Sequence, residues 1–183
     1  PSDPDVMAYK ASIYQAEGNL QQAARLLSGI NEKTPSEVTF AIKTAQLRLE
    51  RNNGEAFRLL QARLAQWRYT SQEDKSGDQV TLAFIQRFAG DTAGAKITAE
   101  QARNTLEPLS KDQPDNFLVA GLLSNSYALI GEKDLALTAA ERAIMIVRRA
   151  KSALKEPAME ENLALIQAMF GENSSAISTL TQL

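Results

Sequence analysis

Small and apolar side chains recur at helical spacing on either side of a turn between Leu123 and Ala143: Leu123, Ser124, Tyr127, Gly131, Ala136, Ala140 and Ala143. Residues three and four apart share a helix face. The pattern therefore describes two helices meeting along small residues, with a tyrosine filling the gap and a glycine turning the chain. Weaker copies recur along the whole length. Gly18, Gly54, Gly90, Gly131 and Gly171 fall between helical patterns, at separations of 36, 36, 41 and 40 residues. Each is followed by an alanine, namely Ala23, Ala56, Ala95, Ala136 and Ala176. A period of roughly 34 to 45 residues is that of a two-helix solenoid unit.

Prolines and polar caps supply the boundaries. Pro4, Pro35, Pro114 and Pro157 each precede a helical stretch, where a fixed φ and a missing N–H cost nothing. Thr34-Pro35-Ser36-Glu37 reads as a capping box, and Ser76-Gly77-Asp78-Gln79 has the same spacing. Asn19, Asn53, Asp91, Asp134 and Asn173 stand where second helices open and can accept from free backbone N–H groups. The expected first helices are Pro4–Glu17, Pro35–Arg51, Asp78–Ala89, Pro114–Ile130 and Pro157–Phe170. The expected second helices are Leu20–Ile30, Gly54–Tyr69, Thr92–Leu109, Leu135–Leu154 and Ser174–Leu183. Thr70–Gly77 reads as a flexible polar joint, and Pro108 as the end or a kink of its helix. The last helix reads as much the shortest, leaving Ile177, Leu180 and Leu183 without a neighbour. The chain lacks an initiator methionine and stops within a helical pattern, so a fragment of a longer chain is expected.

Composition narrows the chemistry. The chain has 183 residues, 44% hydrophobic and 23% charged, with aromatics at only 6%, a balance that favours helix. A formal charge of −2 argues against general nucleic-acid binding, which needs a basic surface. With no Cys and no His, thiolate and imidazole chemistry and ordinary zinc sites are excluded. No apolar run approaches the roughly 18 residues of a membrane span.

The alternation of small residues, tyrosine and turn glycine resembles the tetratricopeptide repeat. The fourth unit carries it best. The first matches at Ala11, Tyr14, Gly18, Ala23, Leu27 and Pro35, and the third at Ala83, Gly90, Ala95, Ala99 and Ala102. The fifth matches at Gly171, Ala176 and Leu180, while the second keeps mainly Leu47, Ala56 and Leu60. The usual tryptophan near the start of a first helix is absent; Trp67 lies in a second helix. The resemblance implies an all-α, right-handed superhelical array of about five antiparallel helix hairpins, with units at about 4–33, 34–70, 77–110, 114–155 and 157–183. A narrower resemblance rests on Gly131, Ala136, Ala140-Glu141-Arg142-Ala143 and Glu161-Asn162-Leu163-Ala164-Leu165-Ile166. These residues look like the C-terminal repeat arrays of large bacterial signalling proteins that carry a serine/threonine kinase, cyclase or winged-helix domain upstream.

The implied role is a non-catalytic protein-interaction or sensory scaffold without cofactor or metal, cytoplasmic or periplasmic. A protein or peptide would lie along the concave face. By the repeat register, Ser12, Gln15, Arg48, Phe84, Arg87, Asn125 and Glu161 point there. Some tetratricopeptide modules grip a terminal carboxylate with a Lys/Asn/Arg clamp. Asn125 matches that asparagine, but Gly121 stands where the lysine would be, so chaperone-tail recognition is not expected. The competing expectation is a spacer or homodimerisation arm that pairs through exposed apolar ends.

Other candidates have plainer readings. Tyr14 and Tyr127 are expected to pack between helices, and Met7, Met145, Met159 and Met169 to fill core. Glu160-Glu161 and Glu73-Asp74 read as solvated faces, since adjacent helical residues diverge by about 100°. Arg148, Arg149, Lys151 and Lys155 suit a helix C-terminus. Gly90-Asp91-Thr92-Ala93-Gly94 lacks the Lys-Ser/Thr of a phosphate loop. Asn173-Ser174-Ser175 has the glycosylation spacing but stands at a helix start.

Overall fold

The computed structural model describes residues 3–152 and 155–182. Among them the chain forms ten α-helices and no strand. They pair as α1 (Pro4–Ala16) with α2 (Leu20–Leu26), and α3 (Glu37–Leu49) with α4 (Asn53–Gln66). Next come α5 (Gln72–Phe88) with α6 (Thr92–Asp112), and α7 (Phe117–Ile130) with α8 (Lys133–Arg149). The last pair is α9 (Glu156–Met169) with α10 (Asn173–Leu180). Each pair packs on the next: α4 on α5, α6 on α7 and α8 on α9, with α1 on α3, α5 on α7 and α7 on α9. The expected all-α array of five hairpins is what forms.

One turn design closes every hairpin. The first helix ends in a residue with positive φ: Gly18 (74°), Arg51 (56°), Gly90 (88°), Gly131 (99°) and Gly171 (78°). The next residue donates its N–H back to the helix carbonyl five positions earlier. Asn19 reaches Tyr14 and Asn52 reaches Leu47 at 2.8 Å; Asp91 reaches Gln86, Glu132 reaches Tyr127 and Glu172 reaches Gln167 at 2.9 Å. This left-handed cap satisfies carbonyls that the helix end would otherwise leave orphaned. Five residues beyond each left-handed position stands Ala23, Ala56, Ala95, Ala136 or Ala176, none more than 6% exposed. A methyl group at that place lets the returning helix lie close against the first.

The second turn corrects the sequence reading. Arg51, not Gly54, is left-handed there, and Gly54 lies inside the first turn of α4. With Arg51 in register the offset from turn to alanine is the same in every unit. Asn19 and Asp91 cap as expected, with Oδ1 accepting from Gln22 and Gly94, but Asn52 replaces Asn53. Glu132 and Glu172 occupy the cap positions of α8 and α10 without a side-chain bond, so Asp134 and Asn173 lie within the first turn. Gly94 serves the cap: a Cβ there would stand 2.1 Å from Asp91 Oδ2.

Other boundaries shift for identifiable reasons. The expected joint at Thr70–Gly77 is largely helix. Ser71 Oγ accepts the Asp74 N–H at 3.2 Å, and Glu73 and Asp74 suit the first turn of α5, so the helix starts before Gly77 can break it. Ser36 caps α3 and Asn116 caps α7, which leaves Pro35 and Pro114 outside their helices. Pro108 neither ends nor interrupts α6, which runs on to Asp112. Arg142 holds that final turn by donating to Ser110 Oγ at 2.9 Å and to the carbonyls of Ser110 and Pro114 at 3.3 and 2.7 Å. Helix α8 ends at Arg149, with Lys151 left-handed; Ala153 and Leu154, once expected in α8, lie outside the described residues, as does Leu183. Trp67 caps the end of α4 rather than lying within it. Helix α2, with 7 residues, is shorter than α10, with 8.

The apolar interior is distributed along the array. Ala8, Ala11, Ala23 and Leu27 form one cluster, and Phe40, Leu47, Ala56, Leu60, Leu82 and Ile85 another. Phe84, Ala99, Leu106, Val119 and Leu123 belong to a third; Ala128, Ala136, Ala140 and Ile166 form a fourth. Tyr127 packs against both of the last two and donates its hydroxyl to Glu107 at 2.9 Å, so the packing reading holds. Burial and that bond push its pKa up to about 12. Met159 and Met169 pack as expected, whereas Met145 is 52% exposed.

An arginine in the left-handed region carries strain that glycine does not. Arg51→Gly is expected to stabilise the fold by about 0.5–1 kcal/mol, read as a higher urea midpoint with an unchanged slope.

Candidate partner-binding groove

Helices α5, α7 and α9 stand side by side, and α3 joins them through Phe40 and Leu47 in a cluster with Leu82 and Ile85. Arg48 of α3, Phe84 of α5, Asn125 of α7 and Glu161 of α9 line a single cleft of about 400 Å³. Leu165, 37% exposed, lies in the same wall. Four of the seven register-selected residues are therefore brought together. The other three are not. Ser12 donates its hydroxyl to the Tyr9 carbonyl of its own helix at 2.7 Å. Gln15 spans to the next unit, donating to the Ile42 carbonyl at 3.1 Å and to Gln46 Oε1 at 3.0 Å. Arg87 lies with Lys96 and Phe170 in a different cleft beside the turns.

Within the groove the polar groups are unevenly satisfied. Asn125 Oδ1 is buried without a hydrogen-bond partner, an acceptor placed where a ligand's N–H would be received. Neighbouring Asn162 is already spent on Ser124 Oγ at 2.9 Å. Phe84 is only 6% exposed and serves as floor, stacking on Phe88 with centroids 6.1 Å apart. Arg48 lies over the Phe88 ring at 6.0 Å, and partial desolvation pushes its pKa down although the residue remains exposed. Gly121 faces Met159 of the next unit, and an added Cβ would stand 3.5 Å from its Sδ, an ordinary van der Waals contact.

No family model and no curated protein matches the chain. Solved structures do. A Podosopora anserina protein described as a kinesin light chain with nearly identical TPR-like repeats superposes with a TM-score of 0.55 at 21% identity, covering 100% of this chain and 95% of that one. BtubC (BKLC) from P. vanneervenii superposes at 0.54 with 16% identity, covering 96% of this chain and 76% of that one. The fold is a tetratricopeptide-like solenoid.

In this solenoid the second and third hairpins are joined by a group the sequence reading missed. Arg63 is fully buried. Its Nε donates to Asp78 Oδ2 at 3.0 Å and its Nη2 to Glu37 Oε1 at 2.6 Å. Its Nη1 donates to the carbonyls of Thr34 at 2.7 Å and Glu32 at 3.3 Å. Phe40 and Trp67 face the guanidinium at 4.1 and 4.7 Å from their ring centroids. Tyr69 donates to the same Asp78 oxygen at 2.5 Å. Burial alone would depress Arg63, but the hydrogen bond and charge of Glu37, with Asp78, leave its pKa above the ordinary value. Burial pushes Asp78 and Tyr69 up. The available signal was a charge on an apolar stripe, since Ala56, Leu60 and Arg63 share the buried face of α4.

Of the remaining charged candidates, Arg148, Glu160, Lys155 and Glu73 are engaged. Arg148 donates to Glu156 at 2.6 Å and Glu160 at 2.5 Å, tying α8 to α9; Glu160 is thus an ion-pair partner rather than a solvated acid. Lys155 lies 4.5 Å from the Phe117 ring centroid. Glu73 accepts from Asn116 at 2.8 Å.

Removing one member of a buried ion network strands the others. Arg63→Ala is expected to cost about 3–5 kcal/mol in urea unfolding, against about 1 kcal/mol or less for exposed Arg58→Ala.

Proposed function

We propose that the chain is a non-catalytic protein-binding scaffold that holds an extended segment of a partner along the groove of α3, α5, α7 and α9. The observation that carries this is the unpartnered Asn125 acceptor, set in a cleft walled by four consecutive hairpins. A preformed groove on a packed scaffold binds with little ordering cost. The tetratricopeptide-like fold supports the same reading, as do solved neighbours built from TPR-like repeats. The resemblance to repeat arrays of bacterial signalling proteins supports a setting beside a kinase, cyclase or winged-helix domain for such a scaffold.

The non-catalytic reading rests on the lack of Cys and His and on Arg63, Asp78 and Tyr69 being engaged with one another. The net charge of −2 does not favour nucleic acid as the partner. Among the described residues, no helix is long and apolar enough to cross a membrane.

A second reading, self-association through the ends, has its own support. Five positions before each left-handed turn, Gln46, Ile85, Ser126 and Ile166 are fully buried, yet Ile13 of the first unit is 59% exposed. Nine positions after it, Leu27, Leu60, Ala99 and Ala140 are fully buried, yet Leu180 of the last is 49% exposed. Each end presents the face that internal units bury against a neighbour, which suits head-to-tail stacking. Light scattering over a concentration series tests it, because an association arm must gain mass.

For the groove, peptides selected from a random displayed library should shift backbone amide resonances of α3, α5, α7 and α9. Asn125→Ala should weaken them about three- to tenfold, the value of one hydrogen bond. Peptides that perturb only second helices would overturn the reading.

A further inference from the structure

A second cleft, of about 570 Å³, opens between the second and third hairpins and shares Arg48 with the groove. Its walls are Ala45 and Leu49 of α3, Arg51 and Asn53 at the turn into α4, and Phe88 at the end of α5. Leu49 and Phe88 are 51% and 54% exposed, large apolar side chains left facing an opening. Two guanidiniums border the same opening, and no carboxylate lines it.

We propose that this cleft is a subsite for a carboxylate carried beside a large apolar side chain in an extended peptide. Among the described residues no carboxylate lies within ion-pair distance of Arg48 or Arg51, so the chain itself neutralises neither cation bordering the cleft. The nearby acids are held elsewhere: Glu50 accepts from Gln46 Nε2 at 2.7 Å and Glu55 from Asn52 Nδ2 at 2.9 Å. The walls supply no counter-charge to the Arg48 guanidinium, which stays exposed at the mouth of the cleft. A carboxylate supplies that charge and accepts from the guanidinium fork. An adjacent aliphatic or aromatic side chain covers Leu49 and Phe88. A basic or purely apolar segment meets the two cations unfavourably or leaves them unpaired. The rest of the peptide continues past Arg48 towards Asn125, so the inference rests on the groove being the partner surface.

The test uses the full chain and three capped dipeptides, acetyl-Leu-Asp-amide, acetyl-Leu-Asn-amide and acetyl-Leu-Lys-amide, titrated against backbone amide resonances. The Leu-Asp probe should perturb Ala45, Leu49 and Phe88 and bind about fivefold or more tighter than Leu-Asn, with an advantage that shrinks at high salt. Arg48→Gln and Arg51→Gly should each erase most of that advantage. Arg51→Gly relieves the strained turn, so its loss of binding is not a failure to fold. Equal binding of Leu-Asp and Leu-Asn, or perturbation elsewhere, overturns the subsite. Library peptides that still shift Asn125 and Glu161 would leave the groove reading standing; peptides that shift neither cleft would sink both.

Discussion

The structure depends on a fixed interval along the chain: five residues separate a left-handed turn from a side chain no larger than a methyl group. The turn reverses the helix and satisfies its last carbonyls. The methyl then sets how closely the returning helix can approach. Because the interval is the same in all five hairpins, each presents a similar pair of faces to its neighbours. Stacking follows from repetition rather than from a common centre. That explains why the apolar interior is a series of clusters, each shared by consecutive helices, and why one long surface is left along the first helices.

The second hairpin is where this rule is met with the least suitable residues. Arginine occupies the left-handed position, and the bottom of the hairpin is closed by a buried guanidinium instead of leucine or alanine. Arg63 touches the loop before α3, the first turn of α3 and the body of α5, so it fixes three segments at once. Polar clamps of this kind define geometry more than they add stability, because desolvation offsets much of the attraction. Here the geometry fixed is that of α3 against α5. Those helices frame the cleft holding Arg48 and Phe88, so a buried network outside the cleft bears on its shape.

Much of this was legible from residue spacing. The turn glycines other than Gly54, the buried alanines and ten helices followed from small residues at helical intervals. The turn at Arg51 was hidden because a left-handed conformation at a residue other than glycine leaves no mark in the sequence, and Gly54 stood nearby as a decoy. The start of α5 was misplaced because Gly77 outweighed the earlier cap at Ser71. Pro108 does not end α6, whose final turn is held by Arg142 of a later helix, a contact the local sequence does not display. In the groove, the register found Arg48, Phe84, Asn125 and Glu161. Gln15 lies outside that cleft, and its amide bridges to the neighbouring unit, a cross-hairpin contact that no single repeat displays. Phe88 and Leu165 looked like ordinary apolar residues in the sequence, and their exposure became visible only in the fold.

The central assertion, that stability is passed between neighbours and not held in one core, is tested most directly by native-state amide hydrogen exchange. Protection should be graded, slowest in α5 to α8, which have packed hairpins on both sides, and fastest in α1, α2 and α10. Exchange from all ten helices at one common opening free energy would contradict it, because that is how a single cooperative globule behaves.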